Sequence, residues 1–211
     1  MKEIELLIRG EKIILTNDRA LYWPDTHTLI LSDLHLGKSA HFRKHGIAVP
    51  QAVNQKDLQR LNRLFSRYET RRILVVGDLI HAGINSDLGY FKEWMDPAHQ
   101  WILVKGNHDR MSNDLFQSIG VSVVVNEWKE GPFLFTHEME MDPNYFCIAG
   151  HLHPGKEVQI GLKRSMSFPT FVINDEVLIL PAYSEFTGLD CKEHLKRASY
   201  YVLVKDELLK F

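Results

Sequence analysis

Five short stretches end apolar or glycine-flanked runs in the same manner: SDLHLG at 32–37, GDLIH at 77–81, GNHD at 106–109, THE at 136–138 and GHLHP at 150–154. Each brings oxygen or imidazole lone pairs to the end of a segment. Asp33 and His35 are two residues apart, so on an extended backbone they face one side, and His151 and His153 repeat that spacing. Carboxylate oxygen, amide oxygen and neutral imidazole together suit Mn, Fe, Zn or Ni, whereas calcium asks for a shell richer in oxygen. Taken singly, Asp33 or Asp78 could cap a turn, Asn107 could sit in one, and His35 or His137 could satisfy a carbonyl. All of them in one chain, each at the end of a run, read as a metal centre.

Such endings meet without long side-chain travel when the strands that carry them are mostly parallel and their carboxyl ends lie together. HTLILS (27–32), RILVVG (72–77) and WILVKG (101–106) are continuous apolar runs of the kind that a sheet covered on both faces requires. Leu58, Leu61, Leu64, Phe65 and Tyr68 recur at helical spacing and predict a helix from about Gln51 to Tyr68. Leu88, Phe91 and Met95 predict another that stops before Pro97. Ser112 is placed to cap a short helix carrying Leu115, Phe116 and Ile119, with Gly120 after it.

A hairpin is expected within Glu3–Thr16, and short strands follow Val121: 121–125, 132–136, 145–149, 170–173, 177–180 and a last pair within 202–209. A strand-helix half followed by a strand-rich half predicts an α/β protein, a four-layer α/β/β/α sandwich of two mixed sheets flanked by helices, with residues 1–211 forming one domain.

The chain has 211 residues, 25 Lys+Arg against 27 Asp+Glu and a formal net charge of -2, which excludes a histone-like or tail-driven nucleic-acid binder but leaves room for a local basic track. Arg43, Lys44 and His45 supply one wall of such a track, with Lys163 and Arg164 across from it; Arg60, Arg63, Arg67, Arg71 and Arg72 are a second supply or a solvated helix face. Phe42, Tyr90 and Trp94 serve helix packing or a stacking rim. No run approaches the roughly 18 apolar residues of a membrane span, and the N-terminus lacks a signal-peptide core. Cys147, in a predicted strand, and Cys191, in a predicted loop, form no dense disulfide framework, which suits a reduced cytoplasmic setting.

The ordered set SDLHLG, GDL, GNHD, THE and GHLHP resembles the calcineurin-like metallophosphoesterase superfamily over residues 27–154, with the likeness of fold extending over nearly the whole chain. That resemblance implies two divalent metal ions, with manganese first and iron, zinc or nickel as alternatives. Asp33, His35 and His153 would hold the first ion. Asn107, His137 and His151 would complete the set of ligands around the second ion, and Asp78 would bridge the two. His108 would be the catalytic histidine beside the phosphate, and Asp109 would orient it. The superfamily often carries an acidic residue where this chain has His81, which leaves substrate preference open.

The longer stretch DLHLGKSAHFRKHGIAVP, with Lys38, Phe42, Arg43, Gly46 and Pro50, is similar to the bacterial DNA-ligase-associated metallophosphoesterases. This narrower likeness implies a phosphodiesterase or endonuclease acting on DNA in repair, in functional association with DNA ligase and helicase.

A pair of ions would lower the pKa of a shared water for in-line attack on phosphorus and stabilise the charge that builds on the phosphoryl oxygens. His108 would stabilise that charge or protonate the departing oxygen, and Arg43 would either clamp the phosphate or serve as a salt-bridged surface arginine. Two further readings fit the same residues: a phosphodiesterase of cyclic nucleotides or other small molecules, and a noncatalytic metal-stabilised DNA-binding or assembly module.

Overall fold

The computed structural model describes residues 2–38, 52–81, 95, 97–161 and 164–211. The predicted N-terminal hairpin is β1 (Glu3–Ile8) and β2 (Glu11–Thr16), with Glu3 opposite Thr16. It continues through β3 (Leu21–Trp23) to β4 (Thr28–Leu31), each pair antiparallel. From β4 the direction changes to parallel: β5 (Arg72–Val76), β6 (Gln100–Val104) and β7 (Val123–Val125) follow side by side, closing a seven-stranded sheet in sequential order. Parallel neighbours need a crossover between them. Helix α1 (Ala52–Arg67) supplies it between β4 and β5, and α2 (Asn113–Ser118), capped by Ser112 Oγ accepting the Leu115 N–H at 3.4 Å, lies between β6 and β7.

The second sheet has eight strands: β8 (Trp128–Glu130), β9 (Phe133–Thr136), β10 (Phe146–Ala149), β11 (Gly155–Gly161), β12 (Arg164–Ile173), β13 (Val177–Ile179), β14 (Ser199–Val204) and β15 (Glu207–Lys210). Its order is β15-β14-β12-β13-β10-β9-β8, and β11 pairs with β12 outside that path. Strands β9, β10 and β13 run parallel; the other pairings are antiparallel. Both sheets are thus mixed, as the order of predicted elements implied.

Alternation along each strand divides the core. Ile30, Leu74, Val76, Ile102 and Val104 point from the first sheet toward Phe133, Phe135, Ile148, Phe171 and Leu178 of the second. Their neighbours Leu29, Leu31, Ile73, Val75, Trp101 and Leu103 point the other way, onto Leu61 and Leu64 of α1 and Phe116 of α2. Complete burial of such a side chain stabilises by about 1.5–3 kcal/mol. The outer face of the second sheet, through Cys147, Val172, Val177 and Ile179, is covered among the described residues by Leu195 and Ala198 of the segment that precedes β14. Of the predicted helix at 88–95 only Met95, which packs in the core of the first sheet, is among the described residues.

Candidate metal centre

All five endings singled out in the sequence fall at carboxyl ends of parallel strands. β4 leads into Asp33 and His35, β5 into Asp78, β6 into Asn107, His108 and Asp109, β9 into His137, and β10 into His151 and His153. The loops are tied together by main chain. Asp33 N–H donates to Gly77 O (3.0 Å), His35 N–H to Asp78 O (2.9 Å), and Gly150 N–H to His137 O (3.1 Å).

Two clusters result. In one, His153 Nε2 lies 3.1 Å from Asp33 Oδ1, and His35 Nε2 lies 3.4 Å from His153 Nε2 and 3.9 Å from Asp33 Oδ1. In the other, three atoms crowd His137 Nε2: Asn107 Oδ1 at 3.1 Å, His151 Nδ1 at 3.2 Å and Asp78 Oδ1 at 3.4 Å. Asp78 reaches toward both, since its Oδ2 is 3.9 Å from His35 Nε2. Asp33 also belongs to both sets of closely spaced ligand atoms.

These residues fit a pair of cations on the atoms themselves. His137 Nδ1 lies 3.2 Å from Val76 O, a pure acceptor, so Nδ1 carries a ring proton, and Nε2, once its own proton leaves, turns a lone pair toward the oxygens and nitrogen around it. Converging lone pairs repel unless a cation lies between them. Asp33 and Asp78 are buried, and among the described residues their close charged partners are histidines rather than Lys or Arg. Buried carboxylates without a permanent countercharge are costly, and a bound divalent ion removes that cost.

Protonation follows the same field. Burial, aided by the charge of Lys38, depresses His35 to about 3 and keeps it neutral. For Asp78 burial works upward, but the hydrogen bond and charge of His137 and the His108 N–H at 2.9 Å outweigh it and hold the carboxyl at about 2. His137 is desolvated, yet its bond to Asp78 and the negative charges of Asp33 and Asp78 raise its pKa above the usual histidine range. An ionised carboxylate and a neutral His35 are the forms that ligate.

His108 stands beside the clusters with its Nε2 4.0 Å from Asp78 Oδ2 and its side chain 37% exposed, open to an incoming ligand. His81 stacks on it, ring centroids 4.8 Å apart at 25°. Asp109, expected to orient His108, spends its carboxylate on main-chain N–H groups of Gly106 (2.9 Å), Ile80 (3.0 Å) and Leu79 (3.3 Å). It therefore locks the loop after β6 to the loop after β5, and these three bonds go to main chain rather than to the His108 ring. Burial lifts its pKa to about 6.

Arg43, expected to clamp phosphate, lies outside the described residues, as do Phe42, Lys44, His45, Tyr90, Trp94 and Lys163. The second basic supply is committed within the molecule: Arg60 pairs with Asp57 and Glu185, Arg63 with Asp18, Arg67 with Glu3, Arg71 with Glu69 and Arg72 with Glu130. The loop after β13 is a part of the site that motif reading missed. Tyr183 N–H donates to Ser32 O (2.9 Å) and Ser184 N–H to Asp33 O (3.2 Å), so PAYSEF at 181–186 supports the first cluster without contributing a ligand type that would mark it in sequence.

Two mixed sheets with a cage of Asp, His and Asn at their strand ends define a class, the metallophosphoesterases, and a model of the calcineurin-like phosphoesterase family matches residues 26–200. The chain belongs to the calcineurin-like phosphoesterase family; it is a metal-binding hydrolase of phosphate esters. The crystal structure of the Pseudomonas putida nuclease MPE is similar, with 27% sequence identity and a TM-score of 0.82, covering 99% of this chain and 100% of that one. A protein of unknown function from Aquifex aeolicus aligns at 17% identity over 60% of this chain and 78% of its own, with a TM-score of 0.43. Among curated proteins no significant match is found.

Proposed function

We propose that the protein is a two-metal phosphodiesterase that cleaves DNA, with manganese as its working ion. The observation that carries this reading is the convergence of Asn107, His151 and Asp78 on His137 Nε2 beside the Asp33–His35–His153 cluster, two lone-pair nests sharing a buried pair of carboxylates. Asp33, His35 and His153 would hold one ion and Asn107, His137 and His151 the other, with the Asp78 carboxylate facing both clusters. When bound, such ions supply an activated water and countercharge for the phosphoryl oxygens.

The chain's own residues do the rest. Asp109 fixes the turn that presents Asn107 and His108 by accepting three main-chain N–H bonds. His108, partly exposed beside Asp78, hydrogen-bonds a phosphoryl oxygen or gives a proton to the leaving oxygen. Likeness over nearly the full chain to a protein named as a nuclease favours a nucleic-acid diester over a small one. The same reading makes residues 1–211 one catalytic domain, working in the cytoplasm on strands that a DNA ligase and a helicase also handle in repair.

The test is a metal-controlled panel of single-stranded DNA, duplex DNA, cyclic nucleotides and simple phosphate esters. Hydrolysis of DNA is expected to vanish on chelation and return with manganese, and H108A is expected to lose at least about 100-fold on every substrate that the wild type cleaves. Full activity in verified metal-free protein, or a wild-type rate in H108A, would overturn the reading.

A further inference from the structure

Two loops bracket Asp33. One is its own continuation to Lys38, whose N–H donates to His35 O at 3.1 Å. The other follows β13, bonds Ser32 and Asp33 through Tyr183 and Ser184, and turns at Phe186, whose N–H donates to Ser184 Oγ at 3.2 Å. The loops touch where the Lys38 ammonium lies over the Phe186 ring, 5.9 Å from its centroid. An aromatic face attracts a cation modestly and fixes its direction.

Lys38 is half-buried, and among the described residues no carboxylate lies within 4.0 Å of its Nζ. Glu185, the acidic neighbour of Phe186 in sequence, is already taken by Arg60 at 2.8 Å and by Lys56 at 3.6 Å. The Lys38 charge nevertheless reaches Asp33, Asp78 and His35. A half-buried ammonium held near a phosphate-ester centre but matched to no anion among the described residues is arranged for an anion that arrives with the substrate.

Charge decides which anion. Two divalent ions, set against Asp33, Asp78 and a hydroxide nucleophile, would leave a single net positive charge, which the one negative charge of a diester phosphate would meet. The charge of Lys38 is surplus to the reacting group. We infer that Lys38, aimed by Phe186, binds the phosphate next to the cleaved one on a DNA strand. This inference rests on the nuclease reading above and adds to it a residue that favours strands over small esters.

The test compares K38M and K38R with wild type on a fluorescent single-stranded oligonucleotide and on bis(p-nitrophenyl) phosphate, a diester with one phosphate. Oligonucleotide affinity of chelated protein, followed by anisotropy through a salt series, gives a readout independent of turnover. K38M is expected to raise Kd and KM for the oligonucleotide about fivefold and to flatten the dependence of log Kd on log salt by about 0.7, the increment for one phosphate contact on a single strand. Turnover of the small diester and metal bound per chain should stay within about twofold of wild type, and K38R should recover most of the loss.

An unchanged salt slope would overturn the inference. So would equal losses on both substrates, which would put Lys38 at the reacting phosphate, or loss of bound metal, which would make its role structural. A wild type that hydrolyses the small diester but neither binds nor cuts the oligonucleotide would sink the nuclease reading and this inference with it. Cleavage by wild type with K38M indistinguishable from it would sink this inference alone.

Discussion

The residues of the centre adopt backbone shapes that their types do not announce. Asp33 (φ 56°), His35 (48°), Asp78 (52°), His151 (66°) and His153 (46°) all lie in the left-handed region, which side chains enter at a cost of about 1–3 kcal/mol unless the surroundings enforce it. The benefit is direction. A left-handed step at a strand end folds the chain back so that side chain and following N–H address one crevice, and Asp33 Oδ2 can accept the His151 N–H at 3.2 Å. Two glycines clear the space. Gly77, at φ 83°, passes so close to the His137 ring that no side chain fits, and a Cβ on Gly150 would meet Ser32 Cβ at 2.8 Å, Asp33 Oδ2 at 2.9 Å and Val76 O at 2.9 Å. G150A is therefore expected to fold yet lose about 10- to 100-fold in metal affinity, because the added methyl displaces the Asp33 carboxylate. Manganese titration by calorimetry checks this, and wild-type affinity would show that the carboxylate has room to yield. The ligand types were legible in sequence because carboxylate, amide and imidazole are unusual at the ends of apolar runs. The left-handed turns were not, since only the glycines among them carry a sequence signal.

At the scale of elements, the site depends on a helix that contributes no ligand to it. Arg60 of α1 is buried and donates to Tyr183 O at 2.6 Å, while Arg19 donates to Ala182 O (3.3 Å) and Ser184 O (3.0 Å), so the loop supporting Asp33 hangs from two guanidinium groups. Asp57 answers Arg60 at 3.2 Å and accepts the Glu185 N–H at 3.1 Å. Burial dominates its titration: it raises the carboxyl from 3.8 to about 6 against the opposing pull of Arg60 and the Glu185 N–H. A folded pKa above the unfolded one means that ionisation disfavours the folded state. The penalty is absent below about pH 4, grows between about pH 4 and 6, and is complete above, with an upper bound of about 3 kcal/mol. The unfolding free energy of wild type minus that of D57N should accordingly decline over that window and level off beyond about pH 7; a difference that is flat throughout would place Asp57 in a more solvated setting. Periodic leucines made α1 legible, and apolar runs did the same for β4, β5 and β6. β3 and β8 escaped because three residues carry no period, and β11 (GKEVQIG) because Val158 and Ile160 are its only apolar side chains. Reading Arg60 as part of a basic face failed for a related reason: periodicity tells which side of a helix is apolar, and a buried ion pair can sit at its margin.

Across the whole molecule, the change from a strand-helix half to a strand-rich half anticipated two sheets face to face. Sequence did not reveal that the described cover on the second sheet is the loop around Leu195, because an irregular segment has no repeat to read. The consequence for stability lies where the sheets meet at the centre: β4, β5 and β6 of the first and β9 and β10 of the second all deliver side chains there, so ions bound among them cross-link the two layers. Ions that bind the native state and not the unfolded chain stabilise it by mass action, about 2.7 kcal/mol for each site at a free concentration 100-fold above its Kd. Two such sites would contribute about 5 kcal/mol, and for a chain of this length 1 kcal/mol moves the thermal midpoint by about 2–4 °C. Manganese added to chelated protein should then raise Tm by roughly 10–20 °C. D78N, which removes the carboxylate facing both clusters, should keep less than half of that rise. Coincident melting curves with and without manganese would mean that the five strand ends are held by the protein alone, and the metal would have to be sought at another place.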